Sequence, residues 1–187
     1  MALKTAFLRT TSALILLGVV CVVPVGGQVL NSVARPISLQ AVLPESLTVT
    51  LSASAVNFTL TPGSATNSGS TSITATTSWT LAPGLTPVRV YAFFANSASA
   101  LTDGAGDNIP SADFQISDNG GAFRALVRTV PFGGTKAGLQ LSSTPIRAAN
   151  RSGSHTDTLN FNINLTALPN LPPATYTGTL TIQASAL

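Results

Sequence analysis

Apolar and polar residues alternate singly along much of this chain, and most regularly over its last stretch, from Tyr176 to Leu187. A β-strand turns successive side chains to opposite faces. Tyr176, Gly178, Leu180, Ile182, Ala184 and Ala186 therefore share one face, and the chain is expected to end inside a sheet, with no polar tail or anchor after it.

The same period recurs upstream. Leu47, Val49, Leu51 and Ala53 predict a first strand, and Val56, Phe58 and Leu60 a second. Pro62-Gly63 opens a polar loop to Gly69, after which Ile73, Ala75, Thr77, Trp79 and Leu81 predict a long strand that Pro83-Gly84 closes. Val88, Val90, Ala92 and Phe94 form the inner face of the next. Tyr91 and Phe93 are apolar on its other face, which predicts a central strand or one lying beneath a loop or partner. The pattern is less clean at 109–116 and 123–130. A short strand at 137–141 and a clear one through Leu159, Phe161, Ile163 and Leu165 complete the set.

No stretch carries a sustained 3.6-residue period, and Thr, Val, Ile and aromatic residues dominate the regular segments. The expected fold is all-β, a two-layer antiparallel β-sandwich of immunoglobulin or pilin-like type, with a closed barrel as the alternative. One domain over 45–187 is the simplest partition, preceded by an N-terminal extension or edge strand at 35–44.

Composition narrows the setting. Only 8% of the 187 residues are charged while 44% are hydrophobic, against roughly a quarter charged in ordinary soluble domains. Lys4 and Arg9 precede the apolar run Ala13–Val25, which reads as a cleaved secretory signal over residues 1–34, with small residues at Ser32-Val33-Ala34 and an earlier site at Val25-Gly26-Gly27. The run is shorter than the roughly 20 residues of a spanning helix, so no membrane span is expected after cleavage. Lys4 and Arg9 are two of nine basic residues against six acidic ones, so the processed chain carries a charge of about +1. Its arginines are dispersed, which argues against nucleic acid as a partner. The single cysteine, Cys21, lies in the signal. No disulfide framework follows.

Few residues offer chemistry. His155, the one histidine, sits in a polar stretch, Asn150 to Asp157, that reads as a solvated loop. Ser154 and Asp157 beside it do not make a triad, because nucleophile, base and acid must converge in space. Asp103, Asp107 and Asp113 concentrate carboxylates near a Gly-rich turn, which leaves calcium or a plain turn open. Tyr91, Phe93 and Phe132 suit either a sugar platform or packing beneath a loop. Asn57, Asn150 and Asn164 fit the glycan acceptor pattern. No catalytic, metal or cofactor constellation emerges, and a non-enzymatic protein without cofactor is expected.

The stretch Leu171-Pro-Pro-Ala-Thr-Tyr176-Thr-Gly-Thr-Leu180-Thr-Ile182-Gln-Ala184, with Asp157 to Leu165 before it, resembles the C-terminal strands of bacterial pilin-like sandwiches, notably the spore coat protein U family and its chaperone-usher relatives. The resemblance implies assembly by strand complementation: a strand donated by a neighbour completes an open edge. Ile37, Leu39, Ala41 and Leu43 share a face in Arg35–Leu43 and form the candidate donor. Tyr176, Leu180, Ile182 and Ala184 form the candidate terminal strand. The same 35–43 pattern also suits pairing within the chain's own sheet. The implied protein is an extracellular or cell-surface subunit, exported through the periplasm, that associates with itself or related subunits and meets a periplasmic chaperone. The alternative is a monomeric module recognising glycan or a surface protein.

Overall fold

The computed structural model describes residues 35–187, and the expected signal at 1–34, with Cys21, lies outside the described residues. The chain divides into a unit ending at Ala41 and a unit Val42–Leu187. All strands described belong to the second: β1 Ser46–Leu51, β2 Ile73–Thr80, β3 Val88–Phe94, β4 Leu101–Thr102, β5 Asn108–Ile109, β6 Phe114–Asp118, β7 Arg124–Ala125, β8 Ala137–Thr144, β9 Ser152–Ile163 and β10 Leu180–Ala186. Among the described residues there is no α-helix, and none long and apolar enough to cross a membrane. The fold is all-β and every ladder is antiparallel.

Strand order is β1-β2-β9-β6-β7 in a five-stranded sheet, β10-β3-β8 in a three-stranded sheet, and β4-β5 in a separate pair. Alternation explains β2 directly: Ile73, Ala75, Thr77 and Trp79 are buried, whereas the Thr and Ser residues between them are half-buried. β3 is buried on both faces because Phe132, from the 127–136 loop, lies against Tyr91 and Phe93 at ring separations of 5.4 and 4.8 Å. That is the covered-strand arrangement its two-sided apolarity predicts.

Both larger sheets contribute to one core. Ile73, Ala75, Ile116, Leu159, Phe161 and Ile163 come from the five-stranded sheet, and Val90, Ala92, Phe94, Leu139 and Leu141 from the three-stranded sheet. Phe114 sits among Phe58, Phe94 and Phe161, with centroids 5.8, 5.1 and 6.0 Å away. A second cluster holds Trp79, Leu81 and Val88. Trp79 Nε1 donates to the Asn150 carbonyl at 2.9 Å, which satisfies the indole's only donor.

Three sequence expectations need correction. Val56, Phe58 and Leu60 form no strand; they lie half-buried on the core, with an isolated Phe58–Gly69 bridge. Their backbone is engaged instead by a crossing loop, through the Asn57–Ser70 pairing and the Thr61 amide on Asn67 Oδ1. β9 begins at Ser152, so the polar stretch around His155 is strand and not loop. The terminal strand begins only at Leu180, which leaves Tyr176 and Gly178 outside it.

Candidate assembly surface

β10 pairs through seven consecutive positions with β3, from Leu180 opposite Phe94 to Ala186 opposite Val88. Among the described residues no strand hydrogen-bonds to its other edge, although β1 of the five-stranded sheet lies close to β10. Leu180, Ile182 and Ala184 turn to the main core yet stay only half-buried. The strand carries no charged residue, no proline and no bulge, the usual means of blunting an open edge. By contrast, the outer edge of β8 is engaged by Arg128, whose main chain exchanges two hydrogen bonds with Gly138.

The approach to β10 is tightly placed. Thr177 and Thr102 exchange main-chain hydrogen bonds of 2.9 Å. A Cβ on Gly178 would stand 2.0 Å from the Ala100 carbonyl oxygen, so only glycine allows this passage. Tyr176 packs against the core and its hydroxyl donates to the Pro172 carbonyl at 2.9 Å. Its phenol is pushed above the ordinary tyrosine value by desolvation and then by the charges of Asp107 and Asp103. Tyr176 anchors the segment that leads into the strand.

Residues 35–45 form no regular secondary structure. Ile37, Leu39, Val42 and Leu43 are all more than three-quarters exposed, and Ala41 is exposed as well. An apolar alternating segment open to water is costly unless something covers it.

The remaining sequence candidates fall elsewhere. His155 and Asp157 share a face of β9, and His155 Nε2 lies 2.8 Å from Asp157 Oδ1, with the Asp157 side chain 1% exposed and that of His155 42%. Asn119 Nδ2 donates to the same oxygen, and Ser142 Oγ donates to Oδ2 at 2.8 Å. Ser142 thus meets the acid and not the imidazole, so the Ser–His–Asp order of a nucleophilic triad is not formed and the arrangement is a structural hub. Ser154, on the opposite face of β9, takes no part. The adjacent Asp118 has a buried Oδ1 without a hydrogen-bond partner. Burial first, then the charge of Asp157, pushes its carboxyl above the usual range, while Arg124 and His155 pull it down.

In the Gly-rich turn, Asp103 Oδ1 accepts the amides of Ala105, Gly106 and Asp107 at 2.8, 3.1 and 3.0 Å. The Ala105 amide, foremost, lowers its pKa. Asp103 closes its own turn. Burial instead raises the carboxyl of Asp113, at the entrance to β6. No group of three His, Cys, Asp or Glu side chains among the described residues converges as a metal-ligand set.

Comparison of the chain with protein-family models, characterised proteins and solved structures finds no match. The functional reading therefore stands on the chain's own residues. Sequence reading missed the Asp157 hub, because the polarity of 150–157 masks its strand character; Gly153, His155, Asp157 and Leu159 at every second position were the available signal.

Proposed function

We propose that the chain is an exported bacterial cell-surface structural protein, a pilus-like or surface-layer subunit that assembles by β-strand complementation. In this reading the two larger sheets are the layers of an immunoglobulin or pilin-like sandwich, and residues 35–43 of one copy lie along the open edge of β10 in the next. The observation that carries it is the coexistence of an unblunted seven-residue edge and an exposed alternating apolar segment. A donated strand supplies main-chain hydrogen bonds to the edge. It also covers the flank of Leu180, Ile182 and Ala184, and removes Ile37, Leu39 and Leu43 from water.

A periplasmic chaperone fits the same reading, since an open edge exposed during export invites unwanted pairing. Light scattering of the protein with and without residues 35–43, with negative-stain microscopy alongside, tests it. Oligomers or fibres that vanish on deletion are expected. Monomers in both preparations overturn the reading and favour a monomeric binding module.

A further inference from the structure

On the three-stranded sheet, the face that bears Tyr91 is built in cross-strand rows. Arg89 lies between Ser185 on β10 and Ser143 on β8, Tyr91 between Gln183 and Gln140, and Phe93 between Thr181 and Gly138. The 127–136 loop overhangs these rows. Gly138 admits it, since a Cβ there would meet the Phe132 ring at 2.8 Å. Between loop and sheet runs a groove of about 610 Å³ lined by Arg89, Arg128, Lys136, Gln140, Gln183 and Ser185, with the aromatic residues as its floor.

Cations outnumber anions in this groove. No Asp or Glu lines it, and none of the three cations forms an ion pair with any described carboxylate, the Leu187 terminus at the rim included. Lys136 Nζ stands 5.6 Å from the Phe93 ring centroid, and Arg128 donates to Gln140 Oε1 at 3.3 Å. Arg89 and Phe93 are four residues apart on β3, about 13 Å along an extended strand. One small anion cannot meet both ends of the row. The complementary ligand is a chain with repeated negative groups.

We propose that this groove binds an acidic polysaccharide whose sugars carry carboxylates. Arginine forks match carboxylate geometry, while Gln140, Gln183 and Ser185 supply the paired donors and acceptors that sugar hydroxyls need. Tyr91 and Phe93 are only 6% and 8% exposed and face Phe132. Their ring faces are closed to stacking bases, which sets the groove apart from a single-strand nucleic-acid channel. The floor is the face of a sheet and offers side chains, so an acidic peptide finds no main-chain edge there to pair with. This ligand site goes beyond assembly and does not depend on strand exchange.

Titration of the purified protein with oligogalacturonate tests the proposal, with neutral galactan oligomers and poly-glutamate of matched charge as comparators. The side chains of Arg89 and Lys136 make no hydrogen bond to the described protein, so Arg89→Gln with Lys136→Gln should leave the fold intact, as circular dichroism will show. The double variant is expected to weaken oligogalacturonate binding about tenfold or more. Arg147→Gln with Arg151→Gln, away from the groove, should leave binding unchanged, and both comparators should bind at least about tenfold more weakly. Absence of oligogalacturonate binding, equal loss in the two double variants, or poly-glutamate binding as tight would each overturn it.

Discussion

Ser142 Oγ donates to Asp157 Oδ2 at 2.8 Å and so joins β8 of the three-stranded sheet to β9 of the five-stranded one. Along β2, Thr77 separates Ala75 in the main core from Trp79 in the second cluster; along β9, Asp157 separates Leu159 from Gly153, which packs on the Trp79 ring. A polar layer thus interrupts the hydrophobic interior. Its buried acid is satisfied by Ser142, Asn119 and His155 together. A buried carboxylate tolerates its position only with such partners.

Ser142→Ala should therefore destabilise the fold by about 1.5–3 kcal/mol, the range for a hydrogen bond to a charged group. Asp157→Ala should cost more, because it strands Ser142, Asn119 and His155 at once. In a double-mutant cycle by urea unfolding, the two changes should couple strongly. Simple additivity would show that the inter-sheet bond contributes nothing.

Asp118 gives the pH dependence a sign. Burial and the Asp157 charge raise its carboxyl pKa in the folded state, so the folded chain holds this proton more tightly than the unfolded chain. That contribution to stability is present below the ordinary carboxylate value of about 3.9 and is lost as pH rises through the raised folded value. Asp118→Asn should flatten the pH profile in that window and raise the unfolding midpoint above it. A variant less stable than the parent at neutral pH would contradict the assignment.

Gly178→Ala places a methyl 2.0 Å from the Ala100 carbonyl oxygen. The backbone must move, at about 1–3 kcal/mol for an overpacking change of this kind. A lowered denaturant midpoint with an unchanged slope is expected. An unchanged midpoint would mean that the approach to β10 is looser than the structure has it.

Much of the fold was legible in the alternation of single residues. β2, β3 and β10 carry their inner faces in sequence as Ile73 to Trp79, Val88 to Phe94 and Leu180 to Ala186. The Val56 to Leu60 stretch has the same pattern but no ladder, because periodicity reports which face is buried and not whether a partner strand lies alongside. β9 was only half legible, for the opposite reason. Its first half, Ser152 to Thr158, puts polar residues on both faces, and its inward Asp157 is acceptable only through partners at Asn119 and Ser142, distant in sequence. The terminal strand was readable from Leu180 onward, but not where it begins. The cationic groove was not readable, since Arg89, Arg128 and Lys136 come together only when the 127–136 loop folds over β3 and β8.

The central claim is that the open edge of β10 accepts residues 35–43 of another copy. A synthetic peptide of that segment, added to protein lacking it, tests the claim through amide hydrogen exchange. In an antiparallel strand, alternate amides point to each neighbour, so the peptide should protect those amides of Leu180–Ala186 that point away from β3 and leave the rest of the protein unchanged. Exchange at β10 that stays the same with peptide present, or protection confined to other strands, would contradict the account.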